Sequence, residues 1–322
     1  MNSTPAPAAA AAPAPAPPTV AGPPPHHPTP PAAWALLILL AMIWGTSFIL
    51  MKKGLVVFSA LELGATRVTV ASMLLLPFAL RHVRQVERSR FKWLLLSGIV
   101  GTLIPAFLFA YAETKLASGL AGVLNALTVA FTLLVGALFF GQRITWLRAA
   151  GIAAGLLGTV VLMGLGGSGG DATPTGQGNA WYGLYIVLAT LGYGLSVNII
   201  KHHFHGIPSV AVTGLLLMLI GGPAAVYLLV GTDFIYKLQH APGAWTAFGY
   251  IALLATMSTA VAMVLFNKLI QQSTALFAAS NTYLVPIMAL AWGLLDGEVI
   301  NGWHLLGMGI ILLSVFIINR AK

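Results

Sequence analysis

The polar residues of this chain that could do chemistry are few, and their spacing narrows the chemistry. Asn125, Thr128 and Thr132 fall at i, i+3 and i+7, which on a helix is one face. Uncharged amides and hydroxyls so placed can bind the polar groups of a passing solute or hydrogen-bond a neighbouring helix. Both uses are open. Trp44 and Ser47 share a face in the same way, and Trp44 and Tyr193 suit the walls of a mostly apolar pocket. Arg67 stands about seven residues into an apolar run, roughly 10 Å from its start. At that depth it needs a partner or a wet cavity: it can hold a planar carboxylate, snorkel outward or cap carbonyls of a neighbouring helix. Glu62 and Glu113 are the acids to consider for a proton relay, although both lie near ends of apolar runs, where interfacial placement also accounts for them.

Other matches point to nothing. Gly164, Gly166 and Gly169 satisfy G-x-G-x-x-G but follow an apolar run where a dinucleotide fingerprint needs a strand. No Gly is followed by Lys, so the phosphate-cradling Gly-Lys-Ser/Thr loop is missing. His202, His203 and His205 sit beside Lys201 without a carboxylate neighbour and read as a basic loop. No catalytic residue, cofactor or metal is expected. The absence of cysteine removes disulfides, thiolate nucleophiles and cysteine metal sites.

The elements that must carry these residues follow from composition. Of 322 residues only 7% are charged and 58% are hydrophobic, with a mean hydropathy of +0.90. A soluble domain has about 25% charged residues, so this is an integral membrane protein. The net charge of +9 is spread over short breaks between apolar segments, which argues against nucleic acid as a partner. Residues 1–32 hold 12 of the 19 prolines and no charge, and are read as a disordered Pro/Ala-rich tail.

From Ala33 onward ten apolar spans meet the criterion of about 20 residues, with cores near 33–51, 60–80, 93–112, 118–139, 146–164, 180–200, 208–230, 245–266, 274–294 and 302–319. All are predicted to be helices, because lipid offers no partner to free backbone groups. With a cytoplasmic N-terminus, eleven of the 16 Lys and Arg residues fall in inside breaks and four in outside breaks, so both termini are predicted cytoplasmic.

Shifting the chain on itself by 156 residues aligns spans four and five with nine and ten. Ten of 38 pairs between 120 and 157 are then identical, among them Asn125/Asn281, Gly141/Gly297 and Gly151/Gly307. The later half also restarts as the chain began, Ala33-Trp34 being echoed by Ala180-Trp181, and Gly45 by Gly192. An odd number of spans per repeat inverts the second copy, the plan of many secondary transporters, with a site at the midplane between halves. Asn125 and Asn281 are then related across that site. The predicted organisation is a first five-helix repeat at 33–165, a flexible Gly-rich loop at 166–179 and a second five-helix repeat at 180–320.

The chain resembles the drug/metabolite transporter superfamily, EamA type. The resemblance rests on Trp44-Gly45-Thr46-Ser47-Phe48, Arg67, the block Ala117 to Gly158 with Gly141-Gln142-Arg143, and the parallel block Thr274 to Ser314 with Pro286 and Gly297-Glu298. It implies ten helices in two inverted repeats and the movement, often outward, of small metabolites, amino acids or drugs without a cofactor. Gln142 departs from the pattern, which usually has Glu there. An amide exchanges no proton near neutral pH, so any coupling role for that corner would fall to Glu298 alone; both positions also read simply as helix ends near the interface, where polar residues are cheap.

The resulting expectation is a secondary transporter in a bacterial-type inner membrane, exporting amino acids or related amphipathic compounds by alternating access. Its substrate site is expected at Trp44, Ser47, Asn125, Thr128, Tyr193 and Asn281, and its coupling or gating groups at Glu62, Arg67 and Glu113. The bilayer and a small solute are its partners, with a homodimer as an option. A non-transporting sensor or scaffold is the alternative; a membrane enzyme is disfavoured because paired mid-span acids and a His-Glu-x-x-His helix are both absent.

Overall fold

The computed structural model describes residues 31–165, 179–204, 206–262, 265–266 and 281–320. The tail up to residue 30, the loop 166–178, His205 and the segment 274–280 of span nine therefore lie outside the described residues. Among the described residues there is no strand, and nine helices are long and apolar enough to cross a membrane: α1 (Ala32–Gly54), α2 (Ala60–Gln85), α3 (Arg88–Ala112), α4 (Ser118–Phe139), α5 (Trp146–Gly164), α6 (Ala180–His203), α7 (Val210–Val230), α8 (Ala244–Val261) and α10 (Gly302–Arg320). A shorter apolar helix, α9 (Asn281–Leu295), precedes the last. The chain is a multi-pass membrane protein.

Boundaries follow local chemistry. Ser59 caps α2: its hydroxyl accepts from the Glu62 N–H, and the Glu62 carboxylate accepts from the Ser59 N–H at 2.7 Å, a reciprocal capping box. Gly141 and Gly297 end α4 and α9 with φ of 65° and 82°, a left-handed conformation that glycine adopts without steric cost.

The helices pack in a regular set of pairs. α5 runs along α10 and α2 along α7, α1 packs on α9 and α8, and α6 packs on α4 and α3. α4 meets α9, while α2 touches α8 and α3 touches α7. Exchanging α1–α5 with α6–α10 maps these pairs onto one another, while α2 also packs on α3 and α10 on α4. Gly45 lets α1 approach α9 until an added Cβ would strike Met288, and Gly194 does the same for α6 against Phe131 and Thr132 of α4. Since the 156-residue shift pairs Thr132 with Met288, Gly194 is the packing counterpart of Gly45; Gly192, its echo in sequence, meets the Val100 carbonyl of α3 instead. Small residues at such crossings replace the hydrophobic drive that lipid removes. Ser97 and Ser196 add a buried hydrogen bond of 2.6 Å between α3 and α6.

Candidate functional site

Between the helices lies a cavity of about 450 Å³, lined from α1, α2, α3, α4, α6, α7, α8 and α9. Five of the residues singled out in the sequence for substrate, Trp44, Asn125, Thr128, Tyr193 and Asn281, line it together with Arg67. A smaller cavity of about 100 Å³ shares Trp44, Arg67, Asn125 and Tyr193 with it and reaches Ser47, Phe48 and Met51. All six substrate candidates thus meet in one region. Glu62 and Glu113 line neither cavity among the described residues.

Departures from regular helix shape this region. α3 widens into a π-helical stretch at Ile99–Leu103 and α8 into another at Ala255–Val261. Such turns release backbone groups from the i→i−4 ladder and recur at functional sites. The Trp44 indole Nε1 donates to the Ser258 carbonyl in the second stretch at 3.0 Å, fixing α1 to α8. Gly101, Thr102, Ser258 and Thr259, all from the two widened turns, line the cavity. Pro105 contributes to the first of them: its missing N–H leaves the carbonyl four residues earlier without its helical donor, just where α3 widens.

Several hydroxyls are already committed. Thr128 donates to the Asn125 carbonyl at 2.8 Å, Thr132 to the Thr128 carbonyl at 2.7 Å, and Ser47 to the Trp44 carbonyl. By contrast, Asn281 Oδ1 and Ser258 Oγ are buried and have no hydrogen-bond partner among the described residues. Tyr193 stacks on Phe109 with centroids 5.9 Å apart, and Trp44 tilts against Phe266 at 5.4 Å. The Tyr283 hydroxyl oxygen accepts from the Asn319 amide of α10 at 3.1 Å and Tyr111 stacks on Tyr182, so both serve helix packing.

One end of the bundle is held by charge. Lys52 of α1 pairs with Asp296 at 2.7 Å and Glu298 at 2.9 Å, and Lys53 pairs with Asp296 at 2.5 Å. Glu298 also accepts from the Ser118 N–H at 2.8 Å, its hydroxyl at 2.7 Å and the Gly119 N–H at 2.9 Å, so it caps the start of α4. Burial opposes ionisation of Asp296, but hydrogen bonds from Lys52 and Lys53 outweigh it and hold this carboxyl below its usual range. Nearby, Glu113 is 2% exposed, and neither of its carboxylate oxygens has a hydrogen-bond partner among the described residues. Burial, then the charge of Glu298, push this carboxyl, one residue past the end of α3, well above its usual range against Lys52 and Arg67. Glu62 is committed elsewhere, pairing with Lys237 at 2.7 Å beside its capping box.

Sequence reasoning named Glu298 but passed over Lys52. A usable signal was present: Lys52-Lys53 and Asp296/Glu298 stand in breaks assigned to the same side. Among the described residues no group of His, Asp and Glu could hold a metal; His203 stacks on Trp93 with centroids 4.1 Å apart.

A family model for EamA-like transporters matches residues 32–164 and again 180–320. The chain belongs to the EamA-like transporter family. A probable terminal-alkyne amino-acid exporter of Streptantibioticus cattleyicolor is 27% identical over 90% of this chain and 93% of its own. The uncharacterized inner membrane transporter YedA of Escherichia coli (strain K12) is 26% identical over 89% and 90%. A probable amino-acid metabolite efflux pump of Salmonella typhimurium is 26% identical over 88% and 93%. A solved crystal structure covering 89% of this EamA-family chain and 96% of that one superposes with a TM-score of 0.54 at 17% identity, which shows a shared fold.

Proposed function

We propose that the chain is a secondary transporter that exports small amphipathic metabolites, amino-acid-like compounds among them, by alternating access around the central cavity. The observation that carries this is the convergence of Trp44, Asn125, Thr128, Tyr193 and Asn281 from four helices on one mostly apolar cavity with a few polar groups. The names of the exporter and efflux-pump relatives support the substrate class and direction. The organisation is two inverted five-helix repeats, 33–165 and 180–320, joined by a loop at 166–179. The self-mapping helix contacts, the two widened turns in α3 and α8, and the double family match support it. The Lys/Arg distribution supports a cytoplasmic side for both termini, in an inner membrane like that of YedA.

In this reading the Lys52–Asp296–Glu298 cluster is the closed outer gate. The main cavity reaches Ile200 near the end of α6 and Thr213 near the start of α7, toward the opposite end of the bundle. Glu113, buried beside the gate, is its coupling group. Glu62, which the sequence grouped with it, holds the start of α2 against Lys237 and acts on the cycle only through that packing.

The test is counterflow into liposomes reconstituted with the purified protein, over labelled amino acids, their N-acyl derivatives and amphipathic cations. The double variant Asn125→Ala/Asn281→Ala is expected to abolish saturable uptake while remaining folded. A fully active double variant would sink the site assignment, and no uptake of any compound by folded wild type would sink transport.

A further inference from the structure

The central cavity carries a positive charge with nothing set against it. Arg67 lines both cavities, and among the described residues its guanidinium makes no hydrogen bond and no ion pair. Glu113 feels its field without bonding to it. None of the described lining residues is Asp or Glu, and none occurs anywhere from 263 to 280, the stretch between α8 and α9. A guanidinium stays charged at any physiological pH. In a mostly apolar cavity within a membrane such a charge is costly, and the occupant that best offsets it is an anion.

Its shape and its remaining groups are also marked. The planar fork of Arg67 matches a planar carboxylate through two parallel hydrogen bonds. Asn281 Oδ1, a buried acceptor, and Ser258 Oγ, a buried hydroxyl, lie on residues lining the same cavity and have no partner among the described residues. The amide oxygen calls for an N–H or O–H from the occupant, and the hydroxyl can accept one as well as give its own. Trp44, Val129 and Leu216 give the rest of the lining its apolar character. An ammonium would bring a full charge and three donors into a place that offers only neutral oxygens; an amide N–H or a hydroxyl brings what those oxygens can satisfy.

We infer that the cavity selects a monoanionic carboxylate with an apolar body and an uncharged N–H or O–H, its carboxylate on Arg67 and its donor on Asn281 and Ser258. N-acylated and hydroxy derivatives of apolar amino acids have this chemistry; free amino acids and amphipathic amines do not. The inference rests on the cavity being the transport site and narrows that reading to a charge class.

Three probes with one aromatic body separate the classes: N-acetyl-L-phenylalanine, L-phenylalanine and 2-phenylethylamine at pH 7. Displacement of labelled N-acetyl-L-phenylalanine from purified full-length protein is the readout. The acetylated acid should bind at least about tenfold more tightly than phenylalanine, and the amine should not compete. Arg67→Gln should weaken the acetylated acid by about 10–100-fold, the size of a lost charge-assisted pair, and Arg67→Lys should retain part of the affinity. If Arg67→Gln does not fold, the order of the three probes on the wild type still decides. Equal or tighter binding of phenylalanine or the amine, an unaffected folded Arg67→Gln, or no binding of the acetylated acid would overturn the inference. The expected order without flux into liposomes would keep this inference and overturn transport. Flux that favours the zwitterion or the amine would do the reverse.

Discussion

Glu298 and Gln142 stand 156 residues apart at matching corners of the molecule, and their main chains behave alike. Each follows a left-handed glycine, Gly297 or Gly141, and each sends its N–H back into its helix, to the Gly293 carbonyl at 2.9 Å and the Gly136 carbonyl at 3.1 Å. The side chains diverge. Glu298 collects Lys52, the Ser118 hydroxyl and two backbone N–H groups. Gln142 donates to Asn198 Oδ1 at 2.9 Å, and Asn198 in turn donates to the Thr132 and Gly194 carbonyls at 2.8 Å each. The comparison teaches that the backbone corner is kept in both halves while the bonding is specialised. One end is tied across α1, α4 and α9 by buried charge, the other by a neutral amide pair. Under alternating access, separating the Glu298 end costs more, because it breaks charge-assisted bonds in a low-dielectric setting.

Removing the charge is the strongest way to break that asymmetry. Glu298→Ala leaves the Lys52 ammonium with Asp296 alone and strips the cap from α4. Loss of one partner of a buried pair costs about 3–5 kcal/mol, so the melting temperature in detergent should fall by several degrees. The absence of native cysteine allows a clean reporter: Met51→Cys places one thiol at a position 2% exposed and lining the smaller cavity. An impermeant maleimide should label it slowly with Glu298 present and much faster in Glu298→Ala. Unchanged melting and labelling together would mean that the charged corner does not hold this end shut.

How much of this was legible beforehand depends on the kind of signal. Nine of the ten spans were readable because lipid imposes a length and composition on any helix that crosses it. The cavity residues were readable because polar and aromatic groups inside apolar spans are costly unless used, and six of them do meet. The widened turns in α3 and α8 were hidden, since no residue type specifies a π-helical stretch; Pro105 hinted at one of them. The charged cluster was half legible. Lys52 and Glu298 are 246 residues apart, and hydropathy alone does not say which breaks meet. Arg67 left open a structural, gating or binding use; the structure shows it lining the cavity, without a bonded partner among the described residues.

The second test uses the other acid at the charged end. Glu113 has no bonded partner among the described residues and its carboxyl is raised by burial and by Glu298, so the folded protein holds that proton more tightly than the unfolded chain. Below the ordinary glutamate range both states are protonated and the group costs nothing. As pH rises through that range the unfolded chain ionises first, and stability is lost until the folded group also ionises. Glu113→Gln is neutral at every pH and should therefore match the wild type at pH 4 and melt above it at pH 8. The effect should be smaller than that of Glu298→Ala, because no bonded network is broken. A wild type whose melting advantage or deficit against Glu113→Gln is the same at both values would remove Glu113 as a titrating element of this end.

The smallest effect should come from adding charge to the neutral corner. Gln142→Glu gives that end the same acceptor that Glu298 provides at the other. By the 156-residue shift the residues corresponding to Ser118 and Gly119 are Thr274 and Ala275. A carboxylate at 142 can accept from the N–H groups of that segment when the corner closes, as Glu298 does at the start of α4. It gains no lysine, because Asn198 stands where the charged corner has a cation. The net benefit is therefore that of one or two hydrogen bonds, about 0.5–1.5 kcal/mol each, or a several-fold shift in population. Closure at this end is opening at the other under alternating access, so labelling of Met51→Cys should rise a few-fold in Gln142→Glu, well short of Glu298→Ala. Combining the two substitutions should add little, since the charged corner is already released. Slower labelling in Gln142→Glu would mean that the two corners do not oppose one another, and the comparison would then describe two local caps rather than two gates.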